Sequence, residues 1–370
     1  MAPFAPGRLR GWPRRAVAVL LLAAAGLLVG SGSAAAHAVL ISTDPVTGSV
    51  VDTVPGLVTL TFGESVQLPP NALRVFDQDG IEVDSRHALL TSADGHAVGI
   101  GMLPGPALGT YTVTWRVISA DTHPVSGAFT FSVGHPSAKA PATAPATGSP
   151  TLGLLYGVVR FLAYLGYAAM VGAGALVLLC WPARNPSPTA PRVAALGWAT
   201  VLLASVATLV LQGPYGEGTG LAGVFEPGAT ATTLALPLGG ALIVRLILLA
   251  AGGGYLGHLA RHLPTATPRR RRWLTVIGGL YAVGLAATWA VSGHAAVGPW
   301  TQLALPLDIA HVVAMAIWLG GLVVLAAELR RSPTETGYRQ AMAAVTRRFS
   351  ATAQVCVAVV VVSGVFQSWR

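Results

Sequence analysis

GTYTVTWRVISADTHPVSGAFTFSVG, residues 109–134, contains two runs that read as neighbouring β-strands. "GTYTVTWRVIS" (109–119) and "GAFTFSV" (127–133) are rich in β-branched and aromatic residues. The second run alternates apolar with small or polar positions, as a half-buried strand does. Between the runs stand Asp121 and His123, a carboxylate and an imidazole two residues apart, which a strand end sets on one face. Both are metal-ligand types, and together they leave a site short of a further ligand.

Working outward, "LVTLTF" (57–62) and "ALRVFD" (72–77) read as further strands, "DQDG" (77–80) as a turn and "LPGPALG" (103–109) as a loop. About seven strands in about 100 residues fit an antiparallel β-sandwich, with Tyr111, Trp115, Phe129 and Phe131 in its core. His87, His96 and His135 fall in loop-like or linker sequence and read as solvated. The module contains no cysteine; Cys180 and Cys356 lie in apolar segments and read as small buried hydrophobes. Residues 37–134 carry nine acidic residues against three Arg, so the formal charge of +9 for the 370-residue chain resides elsewhere. That distribution argues against a nucleic-acid partner.

The chain opens "MAPFAPGRLRGWPRRAVAVLLLAAAGLLVGSGSAAAHAVL". Four Arg, an apolar core and an A-x-A pattern at Ala34 and Ala36 read as a signal peptide, residues 1–36, with an uncleaved anchor as the competing reading. Cleavage there makes His37 the first residue and joins a free α-amine to an imidazole. With Asp121 and His123 this gives an N/O donor set suited to tetragonal Cu(II), although Zn(II) accepts the same donors.

"HAVLISTDPVTGSVVDTVPGLVTLTFGESV" (37–66) followed by 109–134 resembles the CopC family of exported copper-binding proteins. The resemblance covers residues 37–134 and implies an exported Ig-like Greek-key β-sandwich binding Cu(II) at one end. The family's N-terminal His falls on His37 and its D-x-H motif on Asp121 and His123. Glu64, in "LTFGESV", matches a family acidic position expected to support the site without ligating. Some family members add a Met-rich Cu(I) loop, whereas this module has Met102 alone.

Residues 135–151 ("HPSAKAPATAPATGSPT") read as a Pro/Ala/Thr-rich linker. Beyond it the chain, 53% hydrophobic and 10% charged, becomes a run of apolar segments. Six of these, near 153–181, 193–211, 234–256, 274–292, 305–327 and 351–367, are long enough to cross a bilayer. They make residues 152–370 an α-helical polytopic membrane domain. Arg clusters in alternate connections, with five Arg between His258 and Trp273 and none in 212–233. By the positive-inside rule the clusters face the cytoplasm, which leaves the sandwich outside a plasma-membrane protein and agrees with the signal peptide.

"DIAHVVAMAIWLGGLVVL" (308–325) and "SGHAA" (292–296) resemble the CopD family of copper-handling membrane proteins. The fused order resembles the YcnJ type of copper importer, whose members continue through further spans. Asp308, His311, Met315 and Trp318 are spaced three, four and three apart, so they share a helical face. With His294, the first three are expected to form a copper path through the membrane domain; helix packing and an ordinary interhelical hydrogen bond are the competing readings. Arg160 and Arg245, within spans, are expected to play structural roles. The expected function is copper capture outside and import inward, with copper, the lipid bilayer and docking of the sandwich on the membrane domain as its partners. A membrane-tethered copper buffer is the alternative, and a b-type haem protein with His294 and His311 as axial ligands is another. The chain has no nucleophile triad, phosphate loop or HExxH, so enzymatic activity is not expected.

Overall fold

The structure is a computed structural model that describes residues 38–104, 108–120, 122–137, 149–182, 187–297, 300–331 and 336–369. His37, Asp121 and the expected signal peptide lie outside the described residues. Among the described residues, eight strands form the N-terminal module: β1 (Leu40–Asp44), β2 (Val50–Val51), β3 (Leu57–Phe62), β4 (Leu73–Phe76), β5 (Asp84–Leu90), β6 (Ala97–Met102), β7 (Gly109–Ile118) and β8 (Pro124–Val133). They make two four-stranded sheets, ordered β1-β3-β6-β5 and β2-β8-β7-β4.

The expected sandwich is present, with three differences. The eighth strand is β2, whose two residues pair parallel with β8 (Val50 with Ser132, Val51 with Val133), so the sheets are not wholly antiparallel. Two residues are too few for any periodicity to announce. His87 lies exposed in β5, not in a loop; β5 is an edge strand whose pairing with β6 is irregular between Asp84 and Ala88, which blurs the alternation. β8 begins at Pro124, opposite Ile118, three residues before the apolar run. Proline is tolerated there because the first residue of a strand can forgo a ladder donor.

The pairing of Tyr111 with Phe131 and Val113 with Phe129 puts these side chains on one face. There they meet Leu60, Phe62, Val98 and Ile100 of the other sheet. Phe62 and Trp115 pack edge to face with centroids 5.2 Å apart, and Tyr111 stacks on Phe131 at 5.4 Å. Each such side chain contributes roughly 1.5–3 kcal/mol by leaving water. Asp84, buried at the start of β5, accepts from Val75 N and Arg86 N, both at 2.8 Å, and from Arg74 Nη1 at 3.3 Å. Sandwich contacts continue to Ser137, whose Oγ accepts from Thr110 N at 2.8 Å.

The helical part comprises α1 (Pro150–Ala175), α2 (Ala190–Glu217), the short α3 (Ala229–Ala235), α4 (Pro237–His262), α5 (Pro268–Ala290), α6 (Thr301–Met315), α7 (Gly321–Arg330) and α8 (Thr336–Trp369). α1 continues as a π-helical turn, Leu176–Cys180, and a second π turn, Ala316–Gly320, joins α6 to α7. Among the described residues, six helical segments are long and apolar enough to cross a membrane, matching the six expected spans. Proline opens α1, α2, α4 and α5, where a missing N–H is harmless. Small residues allow close helix approach: a Cβ on Gly172 of α1 would fall 2.4 Å from the Gly320 carbonyl carbon.

The two ends of the bundle differ. At one end Arg271 donates to the Val177 carbonyl (2.8 Å), Arg348 to the Cys180 carbonyl (3.4 Å) and Ser187 to the buried Glu328 (2.5 Å), which ties the Arg-rich connections together. The sandwich lies at the other end, beside the α2–α3 connection and the turn after α5.

Candidate functional site

The β7–β8 turn carries the histidine of the D-x-H motif. Ser119 N donates to the His123 carbonyl and Thr122 N to the Ser119 carbonyl, both at 2.9 Å. Thr122 adopts φ +70°, a left-handed conformation strained for a β-branched residue and of order 1–3 kcal/mol in cost. The turn therefore holds His123 in a fixed direction, and that direction is toward the helices. His123 Nε2 lies 3.5 Å from Arg160 Nη1 of α1, and its ring packs edge-on to Tyr215 of α2, centroids 6.4 Å apart. Tyr215 in turn stacks on Tyr156 of α1 at 4.4 Å. The Tyr156 hydroxyl donates to Gln212.

A second contact anchors the same end of the sandwich. Arg116 of β7 donates from Nε to the Gly216 carbonyl (2.5 Å) and from Nη2 to the Tyr215 carbonyl (2.9 Å) at the end of α2. Desolvation holds the Arg116 guanidinium below its ordinary pKa. Gly218, at φ +76°, caps α2, and a Cβ there would meet the Arg116 guanidinium at 2.7 Å. Both the left-handed cap and the close approach require glycine.

Glu64, just beyond β3, is the third contact. Its Oε2 lies 3.4 Å from His294 Nδ1, and its Oε1 is buried with no hydrogen-bond partner among the described residues. A buried carboxylate oxygen without a donor is costly unless a cation or water meets it, so Glu64 fits a position beside a metal. His294 opens a short 3-10 turn, His294–Ala296, after α5. Arg245, buried in α4, steadies the end of α5. It donates to Thr288 Oγ1 (2.8 Å) and to the Thr288 carbonyl (3.1 Å), and its guanidinium lies 3.9 Å above the Trp289 ring. That is the structural role expected for Arg245. Arg160, by contrast, points at His123.

Inside the bundle, α6 faces α8. Gln367 donates to Asp308 Oδ1 at 3.2 Å, and His311 Nδ1 lies 2.9 Å from Ser363 Oγ. Ser363 donates its own proton to the Val359 carbonyl at 2.6 Å. With that proton committed to the carbonyl, Ser363 Oγ is free to accept from His311 Nδ1, which leaves Nε2 outside this hydrogen bond. Met315 ends α6, half-buried, where the π turn begins. Trp318 falls within that turn, which breaks the 3.6-residue period that grouped it with the other three. Among the described residues no three His, Cys, Asp or Glu side chains converge as a metal site. The structure thus brings Glu64 to His294 and His123 to Arg160, and it sets Asp308 and His311 against α8.

Sequence reasoning missed Arg116, Arg160 as a neighbour of His123, Ser363 and Gln367. A lone Arg within a mostly buried ten-residue strand was a signal for Arg116; the others carry no local signal.

Comparison with known proteins places these observations. The CopC domain matches residues 40–134. The copper transport protein CutJ of Bacillus subtilis (strain 168) is 25% identical over 345 residues, which is 90% of this chain; the chain spans 61% of that relative's length. Copper resistance protein C of Pseudomonas syringae pv. tomato is 37% identical over 118 residues and 91% of its length, and that of Xanthomonas campestris pv. juglandis is 33% identical over 124 residues and 96% of its length. Among solved structures, CopC from Methylosinus trichosporium OB3b aligns at 29% identity over 28% of this chain and 99% of its own, with a TM-score of 0.23. With copper resistance proteins aligned over 91% and 96% of their own lengths at 37% and 33% identity, the chain belongs to the CopC family.

Proposed function

We propose that this protein captures Cu(II) outside the cytoplasmic membrane and passes copper to its own membrane helices for import. Capture rests on His37 with its α-amine, Asp121 and His123, a donor set that suits Cu(II), with Glu64 beside it. The relatives' names, copper resistance and copper transport proteins, agree with this reading. The observation that carries it is the Glu64–His294 approach at 3.4 Å, which sets the motif-bearing end of the sandwich against the mouth of the helical bundle. In this reading the sandwich docks through Arg116, and copper moves by way of His294 to Asp308, His311 and Met315. His311 offers Nε2 as an imidazole ligand, and Met315 a softer one below it. Arg-rich connections at the opposite end support an outward-facing sandwich.

A specific observation favours a second reading, a tethered copper buffer without transport. His311 and Asp308 are both engaged with α8, and no three-residue cluster exists among the described residues of the helices. Copper accumulation in cells, normalised to membrane-inserted protein, separates the two. Import predicts loss of accumulation in His311→Ala with Cu(II) binding by the sandwich retained. Normal accumulation in both His311→Ala and Asp308→Ala supports the buffer.

A further inference from the structure

His123 Nε2 faces a cation. Arg160 Nη1 lies 3.5 Å away, on a helix of the membrane domain rather than on the sandwich. A guanidinium keeps its charge at any physiological pH, so this neighbour cannot be neutralised by protonation chemistry. The other His123 nitrogen, Nδ1, is buried, and the Tyr215 ring limits rotation of the imidazole. The strained turn at Thr122 and the Arg116 anchor fix the two sides of the contact relative to each other.

From this geometry we infer that Arg160 is a discharge residue: docking of the sandwich on the helices brings its guanidinium against His123 and weakens Cu(II) there, so that the ion leaves the sandwich where the helices can receive it. The inference rests on the copper reading above. It deepens that reading by naming what releases the ion. A site tight enough to capture Cu(II) holds it against onward transfer unless something differs between the loaded and delivering states. Arg160 supplies that difference, because it is present at His123 only when the sandwich is docked. Metal–imidazole bonds are about 2 Å long. A Cu(II) on Nε2 would therefore stand no more than about 5.5 Å from Nη1, whatever its direction. Even at the dielectric constant of water, a doubly charged ion at that distance from a unit charge is disfavoured about ten-fold, and more in a drier contact. Glu64 and His294 meet on the same side of the interface, offering the released cation a carboxylate and a second imidazole.

The test is a competitive Cu(II) titration of the purified mature full chain against a chelator of known affinity, with the Cu(II) electron paramagnetic resonance spectrum as a second readout. Arg160→Gln is expected to bind Cu(II) about ten-fold more tightly than the unsubstituted chain, and Arg160→Lys, which keeps the charge, to stay within about two-fold of it. A gain of affinity cannot come from a misfolded sandwich, and the lysine variant separates charge from shape. Arg116→Ala, which releases the sandwich, is expected to show the same gain as Arg160→Gln. If Arg160→Gln and the unsubstituted chain each bind one Cu(II) with equal affinity, the discharge role is overturned and the copper reading stands. If the unsubstituted chain binds no Cu(II), the copper reading is overturned and this inference with it.

Discussion

Arg116→Ala should detach the sandwich from the helices while leaving both parts folded. The side chain makes two charge-assisted hydrogen bonds, at 2.5 Å to the Gly216 carbonyl and 2.9 Å to the Tyr215 carbonyl. Hydrogen bonds to charged groups contribute roughly 1.5–3 kcal/mol each. Desolvation of the guanidinium, visible in its lowered pKa, offsets part of that gain. The net loss is therefore about 2 kcal/mol, which shifts the docked-to-undocked ratio about thirty-fold. The strand itself should survive, because the Arg116 N–H bond to the Ala72 carbonyl is a backbone contact. Spin labels at Val46 of the sandwich and Phe225 of the helical domain, 66% and 89% exposed, would report the distance between the two parts. A single narrow distribution is expected for the parent chain and a broad, longer one for Arg116→Ala. An unchanged narrow distribution would refute the anchoring role of Arg116.

Three further outcomes are expected. A residue added ahead of His37 in the mature chain should displace the α-amine and weaken Cu(II) binding, as read by chelator competition; unchanged affinity would mean that the amine is not a ligand. Asp84→Ala should destabilise the sandwich by roughly 2–4 kcal/mol, because it leaves two backbone N–H groups without their acceptor and removes one of the partners of Arg74; a thermal midpoint equal to the parent's would contradict this. A cysteine introduced at Ala266, between the Arg-bearing ends of α4 and α5, should resist an impermeant thiol reagent in intact cells, and ready labelling there would invert the topology.

Most of the architecture was legible in the chain because two periodicities report burial directly. Tyr111, Trp115, Phe129 and Phe131 were expected inside a sandwich and are buried in it. The six spans were expected from apolar length alone and recur as six long apolar helices. β2 was not legible, since a two-residue strand has no period, and neither was the π turn after Met315, whose extra residue per turn leaves no compositional mark. The site was legible only as residue types. That His123 would face Arg160, or His311 Ser363, depends on packing between segments 37 and 52 residues apart in sequence. A single sequence holds no local trace of such pairs. Arg160 illustrates the point: as a cation in an apolar segment it reads as structural, and only its neighbour on the sandwich gives it chemistry.

The most direct test of the central claim is transport by the purified chain in sealed vesicles, with a copper indicator trapped inside and the sandwich facing out. The account predicts luminal copper that rises well beyond one ion per chain, and that His311→Ala abolishes this rise while external Cu(II) binding persists. Binding that saturates at one ion per chain on the outside, with no luminal signal, would contradict import and leave a tethered copper buffer.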